Sequence, residues 1–266
     1  MNDLLKLEKQ GGVATLTMSR PDQMNPLGQA GDGPAFAAAC AEIEADPAIR
    51  CAILTGAGRA FSAGGDLKAM KARAGAFGGT PAEVSEGYET NIHLIVKSLW
   101  NLDVPLIAAV NGAAVGLGCD VACMADLRIA GEKARFGMPF LRLGIIPGDG
   151  GAWLLPRIIG LSRASEMIFT GDLYDADTAV EWGLASRKVP TEELMTTSME
   201  LAEKIAAQPP RALKAAKRLL RQGQSATYDQ IMTLSAATQA LLHHTEDHLE
   251  GVSAVLEKRT PKFTGS

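Results

Sequence analysis

Residues 144–156, GIIPGDGGAWLLP, set one carboxylate, Asp149, between Gly148 and the pair Gly150–Gly151 on an otherwise uncharged, largely apolar stretch. A carboxylate held out of water is pushed toward its neutral form, which suits proton transfer near neutral pH. The same residue is equally well placed to cap a helix beginning at GGAWLLP. A second acid, Asp120, lies in NGAAVGLGCDVA at 111–122, directly behind Gly116, Leu117 and Gly118. Backbone N–H groups at a helix start carry partial positive charge and can hold an anion or a developing oxyanion. An Asp in that first turn also gains from the helix dipole, so Asp120 has a structural reading beside the chemical one. A third stretch, AFSAGGDL at 60–67, puts Ala63, Gly64 and Gly65 where backbone can approach a ligand with no Cβ in the way, and Asp66 where it can cap the next helix.

Other chemistries fit less well. GLGCDV approaches the dinucleotide pattern GxGxxG but lacks its last glycine, and no ribose-binding acid stands at a following strand end. AFSAG approaches the nucleophile elbow GxSxG but lacks its first glycine. A hydrolase triad would also need a histidine, and of His93, His243, His244 and His248 the last three share a polar helical stretch. His244 and His248 have the i, i+4 spacing of a metal pair, yet HTEDH is not HExxH, so a solvated helix face is expected and no metal site. Cys40, Cys51, Cys119 and Cys123 show no CxxC spacing and sit in apolar contexts, which predicts buried thiols.

The elements that must position these residues follow from hydrophobic patterning. VATLTM at 13–18 reads as a strand, and Phe36, Cys40 and Ile43 fall on one face of a following helix. AILTGAG at 52–58 and LIAAVNGAAVGLG at 106–118 are nearly continuous apolar strands that end in glycine turns, the pattern of strands buried on both faces in an α/β protein. Residues 68–89 carry charges, glycines and a Thr80–Pro81 break, which predicts a mobile surface excursion resuming as a helix near Tyr88. After Thr191 the composition turns to long amphipathic helical patterns, the last of them YDQIMTLSAATQALLHHTEDHLEGVSAVLEKR at 228–259, whose apolar faces need cover, so a core over 1–190 and a helical oligomerisation region over 191–266 are expected. The formal net charge of −4 over 266 residues gives no electrostatic reason to expect nucleic acid or an anionic membrane as partner. The start, MNDLLKLEKQGG, lacks the pattern of a secretory signal, and the expected setting is cytoplasmic.

Taken in order, AFSAGGDL, AAVNGAAVGLGCDVACMADLRIA, ARFGMPFLRLGIIPGDGG and GDLYDADTAVEWGLASRKV resemble the enoyl-CoA hydratase/isomerase (crotonase) superfamily. The resemblance runs from about Leu7 into the C-terminal helices. It implies a ClpP-like spiral of β-β-α repeats, a helical trimerisation region, and a homotrimer or dimer of trimers. It also implies an acyl-CoA thioester substrate and no further cofactor, with the thioester carbonyl polarised by the N–H groups of Gly65 and Leu117. Ala60, Ser62, Ala63, Gly64 and Gly116 are implied beside the CoA moiety, and Lys262 and Phe263 against CoA bound to a neighbouring subunit. The two glutamates that hold water in typical hydratases of this family fall at positions that read Asp120 and Phe140 here. Asp120 keeps a charge on a shorter arm and Phe140 has none, so Asp149 is the expected replacement acid/base, with Asp120 positioning water or sharing the proton. Alternatives inside the fold are isomerisation or C–C hydrolysis by Asp149 alone; outside it stands a non-catalytic or RNA-associated binding member.

Overall fold

In the computed structural model, residues 4–266 are described. A hairpin, β1 (Leu5–Gln10) and β2 (Val13–Met18), opens the chain, and three units of paired strands follow. These are β3 (Cys51–Gly56) with β4 (Ala60–Ser62), β5 (Leu106–Val110) with β6 (Ala113–Val115), and β7 (Leu127–Gly131) with β8 (Arg135–Gly137). The second strands line up as β4-β6-β8 in a four-stranded sheet completed by the antiparallel β9 (Tyr174–Asp175). The first strands lie parallel in a six-stranded sheet ordered β1-β2-β3-β5-β7-β10, which ends on β10 (Arg187–Val189). The chain therefore winds as a spiral in which each turn adds one strand to each sheet.

Helices fill the connections. α1 (Asp32–Ala45) follows β2 and buries Phe36, Cys40 and Ile43, the face its spacing predicted. α2 (Leu67–Ala72), α3 (Pro81–Gly87) and α4 (His93–Asn101) lie between β4 and β5, and α5 (Leu117–Met124) starts straight from β6. α6 (Gly151–Ile159), α7 (Leu161–Thr170) and α8 (Ala176–Glu181) precede β10, and α9 (Leu194–Ala206), α10 (Pro210–Gln222), α11 (Tyr228–Leu242) and α12 (Glu246–Glu257) end the chain.

The six-stranded sheet is buried on both faces. Leu16, Leu54 and Ala108 face Phe36, Ile95 and Leu99 in the main core. Alternate residues Val13, Ile53, Ile107 and Ile129 meet Leu194 and Ala202 of α9. A fully buried Leu or Ile contributes about 1.5–3 kcal/mol, which explains why every residue of CAILTG is apolar, small or hydrogen-bonded. All four cysteines are buried, and burial pushes the Cys40 and Cys51 thiols up to about 12.

Two expectations need correction. Residues 68–89 are mostly helical, not an irregular excursion: Thr80 and Glu83 form a capping box and Pro81 occupies the first turn of α3. A π-helical turn over 88–92 then carries the chain into α4. The long C-terminal pattern from Tyr228 is two helices, because Thr245 caps the His248 N–H and starts α12 afresh. Leu220, Leu241, Val255 and Leu256 stay exposed on this layer. Among the described residues no helix is long and apolar enough to cross a membrane.

Candidate active site

The parallel pairing of β4 with β6 delivers the two glycine loops side by side. Gly64 has φ +91, and a Cβ there would lie 2.4 Å from the Val115 carbonyl oxygen and 3.4 Å from the Leu117 nitrogen. A Cβ on Gly118 would lie 2.3 Å from the Ser62 carbonyl oxygen. Only glycine allows this approach. Gly116, with φ +55, is the N-cap of α5 and leaves the Leu117 N–H at the first helical position.

Most polar groups of the first loop are engaged within the chain. The Ser62 hydroxyl donates to the Asn25 carbonyl at 2.7 Å and accepts from the Gly64 N–H at 3.2 Å. The Ala63 N–H donates to Met24 O at 2.9 Å, and the Ala60 carbonyl accepts from Asn25 Nδ2 at 2.8 Å. Within the chain these bonds brace the loop. Asp66 caps α2, accepting from the N–H groups of Lys68 and Ala69. Among the described residues, the Gly65 and Leu117 N–H groups are left with no backbone acceptor. Two free donors at abutting loops can hold a partial negative charge on a carbonyl oxygen.

Asn25 went unnoticed in the sequence. It is fully buried at φ +54, and its Nδ2 also reaches the carbonyls of Ala57 and Phe61. Asn25→Ala should lower unfolding free energy by about 2–3 kcal/mol by stranding buried carbonyls. Denaturant melts check this, and turnover should fall with the loosened loop.

The cap reading of Asp149 is not what forms. Gly150, with φ +106, is the N-cap of α6, and no side chain caps that helix. Asp149 is only 5% exposed, and its Oδ1 is buried without a hydrogen-bond partner. Burial pushes its carboxyl up to about 6, and positive charge on His93 would pull it the other way. It faces a cavity of about 400 Å³ lined also by His93, Val96, Trp100, Met124 and Leu154. His93 Nε2 donates to the Gly148 carbonyl at 3.0 Å and so steadies the turn that carries Asp149.

Asp120 lies fully buried below this turn. A Cβ on Gly151 would lie 2.0 Å from Asp120 Oδ1, so only glycine fits there. The Gly151 N–H leans toward the carboxyl and partly offsets burial, yet neither Asp120 oxygen completes a hydrogen bond. Burial, and then the charge of Asp149, hold the Asp120 carboxyl well above the ordinary range.

Phe140 is 7% exposed, and its ring stands 3.8 Å from where a Gly116 Cβ would be, so an apolar face borders the second loop. Lys262 and Phe263 are not brought to these loops in the single chain. The Lys262 N–H donates to Glu250 Oε1 at 2.7 Å, and the Phe263 carbonyl accepts from Arg50 Nη2 at 2.9 Å. The cavity face of α4, with His93, Val96, Lys97 and Trp100, was missed, although its i, i+3, i+4, i+7 spacing is the signal of one helix face.

Comparison with known proteins agrees with this geometry. The profile of the family Enoyl-CoA hydratase/isomerase matches residues 8–266. The chain is 37% identical over 266 residues to the 1,2-epoxyphenylacetyl-CoA isomerase of Escherichia coli, covering all of both chains. It is 38% identical over 268 residues to the 2,3-dehydroadipyl-CoA hydratase of the same organism, again covering all of both. A crystal structure of an enoyl-CoA hydratase from Bacillus anthracis superposes with a TM-score of 0.92 at 34% identity, over 99% of this chain and 100% of that one. The fold is thus the crotonase spiral, and the chain belongs to the enoyl-CoA hydratase/isomerase family of enzymes that act on acyl-CoA thioesters.

Proposed function

We propose that this enzyme isomerises enoyl-CoA thioesters, with Asp149 moving one proton between two carbons and the N–H groups of Gly65 and Leu117 holding the enolate oxygen. One observation carries the reading: Asp149 is the single carboxylate lining the apolar cavity, with Asp120 fully buried outside that lining. Ionised Asp149 takes a proton from the carbon next to the thioester of a 3-enoyl chain. The C–H electron pair then spreads onto the carbonyl oxygen and the adjacent double bond. Negative charge on that oxygen meets the two loop donors, which stabilise it more than they stabilise the neutral thioester. Asp149 returns the proton to the far carbon, giving the 2-enoyl thioester with no atom gained or lost. Hydration would instead need a water held between two acid/base groups, and no second carboxylate lines the cavity. The exposed apolar residues of α10–α12 support assembly as a trimer or dimer of trimers, in which Lys262 and Phe263 would meet a neighbour's CoA.

The test is chromatographic separation of the 2-enoyl and 3-enoyl isomers, with product mass, after incubation of each thioester in oxygen-18 water. Isomerised, unlabelled thioester is expected. A labelled hydroxyacyl thioester would assign hydration, the activity in the name of the dehydroadipyl relative. A pH expectation follows as well. Only ionised Asp149 accepts a proton, so kcat/KM should rise about tenfold per pH unit below pH ~6 and level off above it. A rate independent of pH between 5 and 8 would remove Asp149 from the proton-transfer step.

A further inference from the structure

Little holds the turn that presents Asp149. Gly148, Gly150 and Gly151 flank the acid, and glycine leaves the backbone more freedom than any other residue. Ile146 is exposed, the Gly148 N–H bonds only the Ile146 carbonyl of the same turn, and Asp149 Oδ1 has no partner. Upstream, the Ile145 N–H donates to the Phe140 carbonyl; downstream, the N–H groups of Trp153 and Leu154 close the first turn of α6 on the Gly150 carbonyl. Between those anchors, among the described residues, one hydrogen bond ties the turn to another element, that from His93 Nε2 to the Gly148 carbonyl. A carbonyl only accepts, so the ring carries a proton on Nε2.

His93 itself is firmly held. The π-helical turn over 88–92 ends on it, with the His93 N–H donating to the Tyr88 carbonyl five residues back. In a plain α-helix, side chains five apart point about 140° from one another. The wider turn swings them together, and the Tyr88 and His93 rings meet edge to face at 5.8 Å, with Phe77 against Tyr88 at 6.1 Å. Asn91 pins the same turn to the entry of α1. Its Oδ1 accepts from the Gly33 N–H at 2.7 Å, and its Nδ2 donates to the carbonyls of Gly28 and Gln29 at 3.1 and 3.0 Å. Single π turns inside helices are rare and are frequent at functional sites.

We infer that His93 is the positioning residue of this reaction: its ring N–H fixes the glycine turn at Gly148 and so holds the Asp149 carboxyl at the cavity, and the π-helical turn sets the ring where it can do so. The inference rests on the proton-transfer reading of Asp149 and adds the group that orients the base. His93 also lines the cavity, but the Nε2 proton is given to Gly148 and not to substrate.

The experiment compares His93→Phe, which keeps the stack on Tyr88 and loses the donor, with His93→Gln, which keeps a side-chain N–H donor and loses the stack. Steady-state kinetics use whichever of 2-hexenoyl-CoA and 3-hexenoyl-CoA the wild type turns over. Thermal melts check the fold, and His93→Ala replaces His93→Phe if that variant fails to fold. In His93→Phe kcat should fall about 10- to 100-fold with KM within about twofold, because the base is displaced while substrate binding is kept. His93→Gln should recover most of the lost kcat. Amide hydrogen exchange over 145–151, measured on the protein alone, should quicken in His93→Phe and stay near wild type in His93→Gln. Full kcat in His93→Phe, or unchanged exchange there, overturns the inference. So does an equal loss of kcat in both variants, which would mean that the ring itself takes or gives the proton. A raised KM at unchanged kcat would put His93 on the substrate and overturns it too. Asp149→Asn is run beside them. If it alone is slow, only this inference falls; if it turns over at the wild-type rate, the reading of Asp149 falls and this inference with it.

Discussion

Asp149→Asn should lower kcat by about 10²–10⁴, the usual contribution of a positioned acid/base, while leaving the fold intact. Asn has the shape of Asp but cannot take up a proton, so the cavity is preserved and the chemistry lost. Stability should move the other way. Folded Asp149 holds its proton up to about pH 6, against the ordinary 3.8 of a free Asp. The folded state therefore binds more protons between those values, and stability falls as pH rises through that window. At pH 7 the buried charge costs about 3 kcal/mol. Asp149→Asn removes this cost, so the variant should melt higher than the wild type at pH 7 and nearly level with it at pH 4. Steady-state kinetics and thermal melts at the two pH values check both halves. A variant that is slower and also less stable would mean Asp149 serves the fold.

The second large effect is expected at a backbone atom. Proline at Gly65 removes the N–H assigned to the enolate oxygen, and loss of one such donor typically costs about 2.7–4 kcal/mol, or 10²–10³ in kcat. Proline also adds bulk, so the comparison is with Gly65→Ala, which keeps the N–H. A Cβ at residue 65 would meet only the flexible tip of Met70, at 2.5 Å, so alanine can be accommodated by a side-chain shift. Gly65→Ala should therefore be far milder than Gly65→Pro. Equal losses in the two variants would mean that bulk is responsible and that the N–H holds no charge.

What the sequence made legible was what burial writes into it. Continuous apolar runs announced β2, β3 and β5 because the six-stranded sheet is covered on both faces, by the main core and by α9. The three-residue strands β4, β6 and β8 carry no period long enough to detect, yet their pairing is what brings the two glycine loops together. At Thr80–Pro81 a helix start was read as a chain break. A threonine N-cap with proline in the first turn is a start signal, and Glu83 completes its capping box. Glycines at 64 and 118 were recognisable, since only glycine permits the backbone approach seen there, and Gly116 takes the left-handed φ of +55 that favours glycine. The upward push on the Asp120 carboxyl was not legible, because it comes from complete burial and from the charge of Asp149, which meet only once α5 and α6 pack together.

The central claim, that Asp149 moves the proton, is tested most directly by solvent hydrogen exchange. A 3-enoyl-CoA thioester incubated in deuterium oxide with wild-type protein should gain deuterium next to the thioester or at the far carbon, followed by mass spectrometry. Asp149→Asn should exchange at least about 100-fold more slowly. Exchange at the wild-type rate in Asp149→Asn would contradict the assignment and move the base elsewhere in the cavity.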